Sequence, residues 1–230
     1  MKDIKGKAVC ETLEEVLTPE HCAVVVIDLQ NDFIHSDGLV AKTGADMSTM
    51  EPVLASCAAF IEEARRLGVP VVHVQTITLS DGQSDSPSWL RAKGTIVDSD
   101  FTLVGTWGAA ICEEVTPVPG EVVVTKHRSS AFRGTDLDMI LHTGGVQTVV
   151  VVGVQTPGCV EATYRDAAYH DYYNVLIEDC VAAYDQGQHE ASLLVQRARH
   201  DVCTAGECVA IWQDARDRQA VEFVGASSTN

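Results

Sequence analysis

One cysteine stands where a nucleophile would be useful. An apolar run from Val149 to Val152 ends in Gly153-Val154-Gln155-Thr156-Pro157-Gly158-Cys159, and a helical pattern from Val160 to Asp171 follows at once. The Cys159 thiol therefore belongs to a strand-to-helix turn. It sits at the positive end of a helix dipole, beside backbone N–H groups without intrahelical partners, and both effects favour a thiolate and an anionic intermediate. Taken alone, the same turn suits a small buried cysteine that only packs. Two further residues bear on the choice. Asp28 closes an apolar strand, where a carboxylate is costly to bury without a partner, and Lys126 follows another strand and supplies one. A thiol between them can pass its proton to Asp28 and leave a thiolate held by Lys126. An Asp28–Lys126 ion pair capping the sheet would not by itself call for a cysteine at the same place. The chemistry expected of the three is acyl transfer. Cys159 attacks a carbonyl, N–H groups of the turn hold the oxyanion, and Asp28 returns the proton to the leaving nitrogen before activating water on the thioester. Pro157 has no N–H, so Gln155 and Cys159 are the expected oxyanion donors.

Such a convergence needs a scaffold. Strands are expected at Ala23 to Asp28, Val69 to Thr76, Glu121 to Thr125, Gln147 to Gly153 and Asn174 to Glu178, each a short run rich in valine or isoleucine. Helical patterns cover Glu51 to Leu67, closed by Gly68 and Pro70, then Thr135 to Leu141 with Thr135 as N-cap, Gln188 to Arg199, and Glu207 to Arg218. Strands alternating with helices imply an α/β fold with a mostly parallel sheet covered on both faces. In such sheets ligands bind beyond the carboxyl ends of the strands, which selects Asp28, Thr76, Lys126 and Cys159. Thr76 is expected to touch substrate. Gln30, two residues after Asp28, either points back to the same site or ends the strand in solvent. The longest irregular stretch, Ile77 to Gly120, brings Trp89, Phe101 and Trp107 as a wall over the pocket or as packing against the domain or a second subunit, and Trp107 is the expected substrate contact. Asp32 and Arg133 are read as structural.

Composition narrows the function classes. With 46 % hydrophobic and 21 % charged residues over 230 positions the chain is globular, read as one domain over residues 21–216 between an N-terminal extension (1–20) and a polar tail (217–230). No apolar run approaches the roughly 20 residues that span a bilayer, and the N-terminus lacks the apolar core of a signal peptide, so a cytoplasmic protein with no membrane partner is expected. A net charge of −17 with 16 basic residues excludes nucleic acid as a partner and leaves room for a cationic substrate. The eight cysteines are scattered without a C-x-x-C pair or zinc spacing. His35, His73, His127 and His189 form no ligand pattern, so neither metal nor other cofactor is expected.

The motifs together resemble a known family. Ile27-Asp28-Leu29-Gln30-Asn31-Asp32-Phe33, the run from Lys126-His127-Arg128 through Gly134-Thr135-Asp136-Leu137, and Gly153 to Val160 with Thr163 and Asp166-Ala167 are similar, in order and spacing, to the isochorismatase-like cysteine hydrolase superfamily, from about residue 20 to about residue 213. The resemblance implies a Rossmann-like three-layer α/β/α fold with strand order 3-2-1-4-5-6 and an Asp-Lys-Cys triad at Asp28, Lys126 and Cys159. It also implies a cis peptide before Gln155 that turns its N–H toward the pocket. Nicotinamidases of this family bind a metal through an Asp and two His after the second strand. This chain has Leu79-Ser80-Asp81-Gly82-Gln83-Ser84-Asp85 there, without a histidine. Isochorismatases cleave a vinyl ether, some without the cysteine, so Cys159 favours C–N hydrolysis. The expected function is a metal-independent cysteine hydrolase that opens a small amide, ureido or lactam bond through a thioester, the negative charge suggesting a streptothricin-type lactam. A vinyl ether hydrolase and a non-enzymatic binding member are the alternatives. A homo-oligomer is expected from the resemblance and from apolar residues on Gln188 to Arg199.

Overall fold

The computed structural model describes residues 1–96 and 100–227. Its centre is a six-stranded sheet of β1 (Cys22–Ile27), β2 (Val71–Thr76), β3 (Val122–Lys126), β4 (Thr148–Val154), β5 (Tyr173–Ala182) and β6 (Asp201–Cys203). Every neighbouring pair is parallel, in the order 3-2-1-4-5-6. The connecting helices used below are α1 (Met50–Arg66), α2 (Pro87–Lys93), α3 (Leu137–Thr143), α4 (Glu161–Tyr169), α5 (Gln186–Arg197) and α6 (Ala205–Ser227). This is the doubly covered parallel sheet expected from the alternation of elements, in the Rossmann-like order that the resemblance implies.

The valine runs explain the layers. Every residue of β1 and of β4 is buried, as a strand covered on both faces requires. Along β1, Cys22, Val24 and Val26 join one apolar cluster while Ala23, Val25 and Ile27 join the other. The first cluster is closed by α1 and α6, where Phe60 stacks on Trp212 at 5.5 Å. The second is closed by Leu137 and Leu141 of α3, Tyr164 of α4 and Leu193 of α5. Gly153 lets the two central strands meet, because its backbone has φ +115° and a Cβ there would stand 2.1 Å from the Ile27 carbonyl oxygen.

Several boundaries differ from the sequence reading. Strand β6 escaped it because three residues carry no readable period. Strand β5 continues to Ala182 across an irregularity in its pairing with β4. Residues 1–20 include a hairpin of Lys2–Ile4 against Lys7–Val9. Asp136, not Thr135, precedes α3, while the Thr135 hydroxyl accepts from the Leu137 N–H at 3.3 Å and donates to the Ala131 carbonyl. Helix α6 starts at Ala205 because Thr204 and Glu207 form a reciprocal cap, with the Thr204 N–H on Glu207 at 2.9 Å and the Glu207 N–H on Thr204 at 3.2 Å. It runs on to Ser227, past the expected end at Arg218, and the rest of the expected polar tail, 228–230, lies outside the described residues. The stretch from Ile77 to Gly120 contains α2, and its residues 97–99 also lie outside them. Among the described residues no helix is long and apolar enough to cross a membrane.

Candidate active site

The order 3-2-1-4 brings four carboxyl ends side by side. Asp28 follows β1, Thr76 ends β2 and is paired in register with Lys126 at the end of β3, and Cys159 follows β4. Asp28 adopts φ +51°, a left-handed conformation that aspartate tolerates better than most residues. Its N–H donates to the Val74 carbonyl at 3.0 Å and its carbonyl accepts from the Gln30 N–H at 2.8 Å, which aims the carboxylate inward. Asp28 and Lys126 are both fully buried, with Oδ2 and Nζ 2.8 Å apart. The Thr76 hydroxyl donates to Asp28 Oδ1 at 3.0 Å and accepts from Lys126 Nζ at 2.7 Å. Lys126 Nζ also lies 3.1 Å from the Arg128 carbonyl and 3.1 Å from Cys159 Sγ. The structure thus gathers Asp28, Thr76, Lys126 and Cys159 around one ammonium.

The electrostatics reverse one expectation. Burial pushes the Cys159 thiol up, Asp28 adds to the push, and Lys126 only partly opposes them, leaving it at about 12. The helix start and the ammonium therefore do not produce a resting thiolate, because desolvation of the sulfur and a neighbouring carboxylate outweigh them. Burial pulls the Lys126 ammonium down, but its attraction to Asp28 and Cys159 is larger together and holds it above the ordinary lysine range. The arrangement at rest is a neutral thiol beside a carboxylate–ammonium pair. Such a set can transfer the thiol proton to Asp28 when an incoming carbonyl begins to accept the sulfur's electron pair.

The Val154–Gln155 peptide is cis. From Gln155 the chain makes one wide turn of π type over Thr156–Val160, in which the Gly158 and Val160 N–H groups both donate to the Gln155 carbonyl, at 2.9 and 3.2 Å. No described residue accepts the Gln155 N–H. Helix α5 braces the turn, with the Thr156 hydroxyl 2.8 Å from His189 Nδ1 and the Ser192 hydroxyl 3.4 Å from the Thr156 carbonyl. Gly158 is not a point of close approach, since a Cβ there would meet nothing within 4 Å.

A cavity of about 200 Å³ opens beside Cys159, walled by Phe33, Ile77, Trp89 and Phe101. Its polar lining includes Thr76, Thr102, His127 and Arg128. His127 Nδ1 meets the Ile77 carbonyl at 2.6 Å. Two expected substrate contacts lie elsewhere. Gln30 is fully buried, and its amide is engaged by the Thr76 backbone (2.9 Å to O, 2.7 Å from N) and the Ala109 carbonyl (2.7 Å). It therefore holds the end of β2 and cannot turn to a ligand without leaving those groups unpaired. Trp107 is 54 % exposed and stacks on His35, outside the cavity lining. The indole over the pocket is that of Trp89, carried there by α2. Asp32 has the structural task expected of it, accepting from the Leu39 and Thr102 N–H groups at 3.0 and 2.7 Å. Arg128 and His127 were missed as pocket residues. The available signal was their position directly after Lys126 at a strand's carboxyl end. Among the described residues one trio, His35, Cys112 and Glu114, brings possible metal ligands within 4.8 Å of one another, and none of the three lines the cavity.

Known proteins resemble this chain in sequence and in fold. The family model described as Isochorismatase domain matches residues 22–207. The ureidoacrylate amidohydrolase RutB of Agrobacterium fabrum is 34 % identical over 174 residues, covering 71 % of this chain and 76 % of that protein. The crystal structure of N-carbamoylsarcosine amidase from Thermoplasma acidophilum is similar with a TM-score of 0.64 at 33 % identity, over 80 % of this chain and 96 % of the other. A cysteine hydrolase from Pseudomonas syringae pv. phaseolicola shares the fold with a TM-score of 0.77 at 23 % identity, over 86 % and 95 % of the two chains.

Proposed function

The chain belongs to the isochorismatase-like hydrolase family, and from that premise we propose that it is a cysteine amidohydrolase acting on the amide or ureido carbonyl of a small molecule. The observation that carries this reading is the thiol of Cys159, 3.1 Å from an ammonium that is itself 2.8 Å from a buried carboxylate, in the lining of a largely apolar cavity. Relatives named for ureidoacrylate and N-carbamoylsarcosine hydrolysis favour a C–N bond next to a carbamoyl group. A polycationic lactam fits less well, because among the described residues the charged side chains lining the cavity are Lys93 and Arg128.

In the proposed sequence Asp28 takes the Cys159 proton as the sulfur forms its bond to the carbonyl carbon. The oxyanion is held by the Gln155 and Cys159 N–H groups. Collapse of this intermediate breaks the C–N bond, and Asp28 gives its proton to the departing nitrogen. Water then attacks the thioester, with Asp28 taking its proton and the sulfur leaving to recover it. Lys126 keeps the carboxylate and the transient thiolate in one place throughout. We place the protein in the cytoplasm, where its eight free cysteines stay reduced, and as a homo-oligomer, which light scattering checks. The test of the reaction is Cys159→Ala. Ammonia or amine release from ureides and amides should fall by at least a thousandfold, and mass spectrometry of the quenched wild-type enzyme should find an acyl adduct on Cys159. Undiminished release from the variant would overturn the cysteine mechanism, whereas no release by the wild type together with cleavage of a vinyl ether would favour the ether chemistry that needs Asp28 alone.

A further inference from the structure

Resting on the amidohydrolase reading, we propose that Arg128 forms a carboxylate-binding end of the cavity, so that the substrate is a small acid carrying its scissile amide or ureido group toward Cys159. The chain has 33 acidic and 16 basic residues, yet among the described residues the charged side chains lining the cavity are both cations, Lys93 and Arg128. Lys93 already has a partner in Asp85 at 2.8 Å. Asp28, behind the thiol, is paired with Lys126. Arg128 has no acidic partner among the described residues.

What Arg128 does touch leaves its most useful edge open. Its Nη1 donates to the Ser84 carbonyl at 2.9 Å and to the His127 carbonyl at 2.5 Å. Its guanidinium lies 5.0 Å from the centre of the Trp89 ring, a favourable cation–π arrangement. One end and one face of the planar group are therefore held, while Nε and Nη2 donate to no described residue. That edge is the one that grips a carboxylate through two parallel hydrogen bonds. The surrounding Phe33, Trp89 and Phe101 thin out water, which strengthens a charge-assisted bond formed there. A half-buried cation without a counter-ion is costly to keep, and an incoming carboxylate removes that cost. The charge of −17 describes the far field, which salt screens over about 8 Å, whereas recognition inside the cavity is decided by the groups that line it.

The probes are 3-ureidopropionate and n-butylurea, which share the ureido group and differ in the carboxylate, with ammonia release as the readout. The wild type should show a kcat/KM at least tenfold higher for the acid. Arg128→Gln should raise KM for the acid at least tenfold with a smaller change in kcat, and its loss on the acid should exceed its loss on butylurea by at least tenfold. Arg128→Lys should recover only part, because an ammonium supplies charge without the fork. Equal use of the two probes by the wild type, or equal losses in Arg128→Gln, would overturn the proposal. Binding of 3-ureidopropionate to the Cys159→Ala protein by calorimetry separates this inference from the reaction. Binding that is lost on adding Arg128→Gln supports the subsite even where the wild type releases no ammonia, an outcome that sinks the amidohydrolase reading alone. Binding indifferent to Arg128, or no binding, sinks the subsite.

Discussion

At the scale of single residues, the site depends on a buried pair that is worth less than the harm done by breaking it. Asp28 and Lys126 are 2.8 Å apart and fully buried, so each was stripped of water and each relies on the other and on Thr76 for compensation. Lys126→Met leaves a carboxylate alone in the core and should cost about 3 kcal/mol of unfolding free energy. Adding Asp28→Asn removes the stranded charge and should recover part of that loss, although both proteins should have lost hydrolysis by at least a hundredfold. Urea unfolding of the two variants checks this, and a double variant no more stable than Lys126→Met would show that the pair is not the reason for the loss. The residue types at Asp28, Lys126 and Cys159 were legible because each ends a strand or follows one. The protonation of Cys159 was not, since burial by residues distant in sequence pushes its thiol up to about 12. Gln30 misled for a related reason. Alternation along a strand says which side a residue faces, but the groups that capture its amide, on Thr76 and Ala109, come from two other segments.

At the scale of elements, the critical junction is where β4 crosses close to β1. Gly153 holds φ +115°, and an added Cβ would collide with the Ile27 carbonyl one residue before Asp28. Gly153→Ala should therefore cost about 3 kcal/mol or more, from the backbone conformation and the forced separation of two central strands. Gly206→Ala is the control. It lies in the first turn of α6 with open space around it and should be neutral or stabilising by up to about 1 kcal/mol. Thermal unfolding of both checks the argument, and a Gly153→Ala protein that melts with the wild type would refute it. The long valine strands were legible to within two residues at most ends, because burial on both faces demands continuous apolar runs. Strand β6 was not, and neither was the choice of indole over the cavity. Trp89 is brought there by α2 and Trp107 is carried outward, and nothing in a loop's composition orders its aromatic residues in space.

At the scale of the whole molecule, the buried thiols make stability depend on alkaline pH. Burial pushes Cys22 and Cys112 up to about 12 from an ordinary 9.0, and it raises Cys57 and Cys208 well above the ordinary value too. Above about pH 9 the unfolded chain releases these protons while the folded chain keeps them. The unfolded state then binds fewer protons, so stability falls as pH rises, by up to about 1.4 kcal/mol per thiol per pH unit. The urea midpoint should drop between pH 8 and pH 10.5, with a shallower drop in Cys22→Ser. A flat midpoint across that range would refute it. The acidic composition suggested a cationic substrate, yet the cavity presents cations, because net charge is a sum over the surface and a pocket is lined by a few residues chosen by the fold. What the sequence by itself determined was the layered α/β sheet, its order through family resemblance, and the three residues at its carboxyl edge, since apolar period and strand ends are local properties. What only the tertiary structure decided was the resting state of the thiol, the tasks of Gln30 and Trp107, and the open edge of Arg128. Each of these depends on burial and partners supplied by segments far apart in the chain.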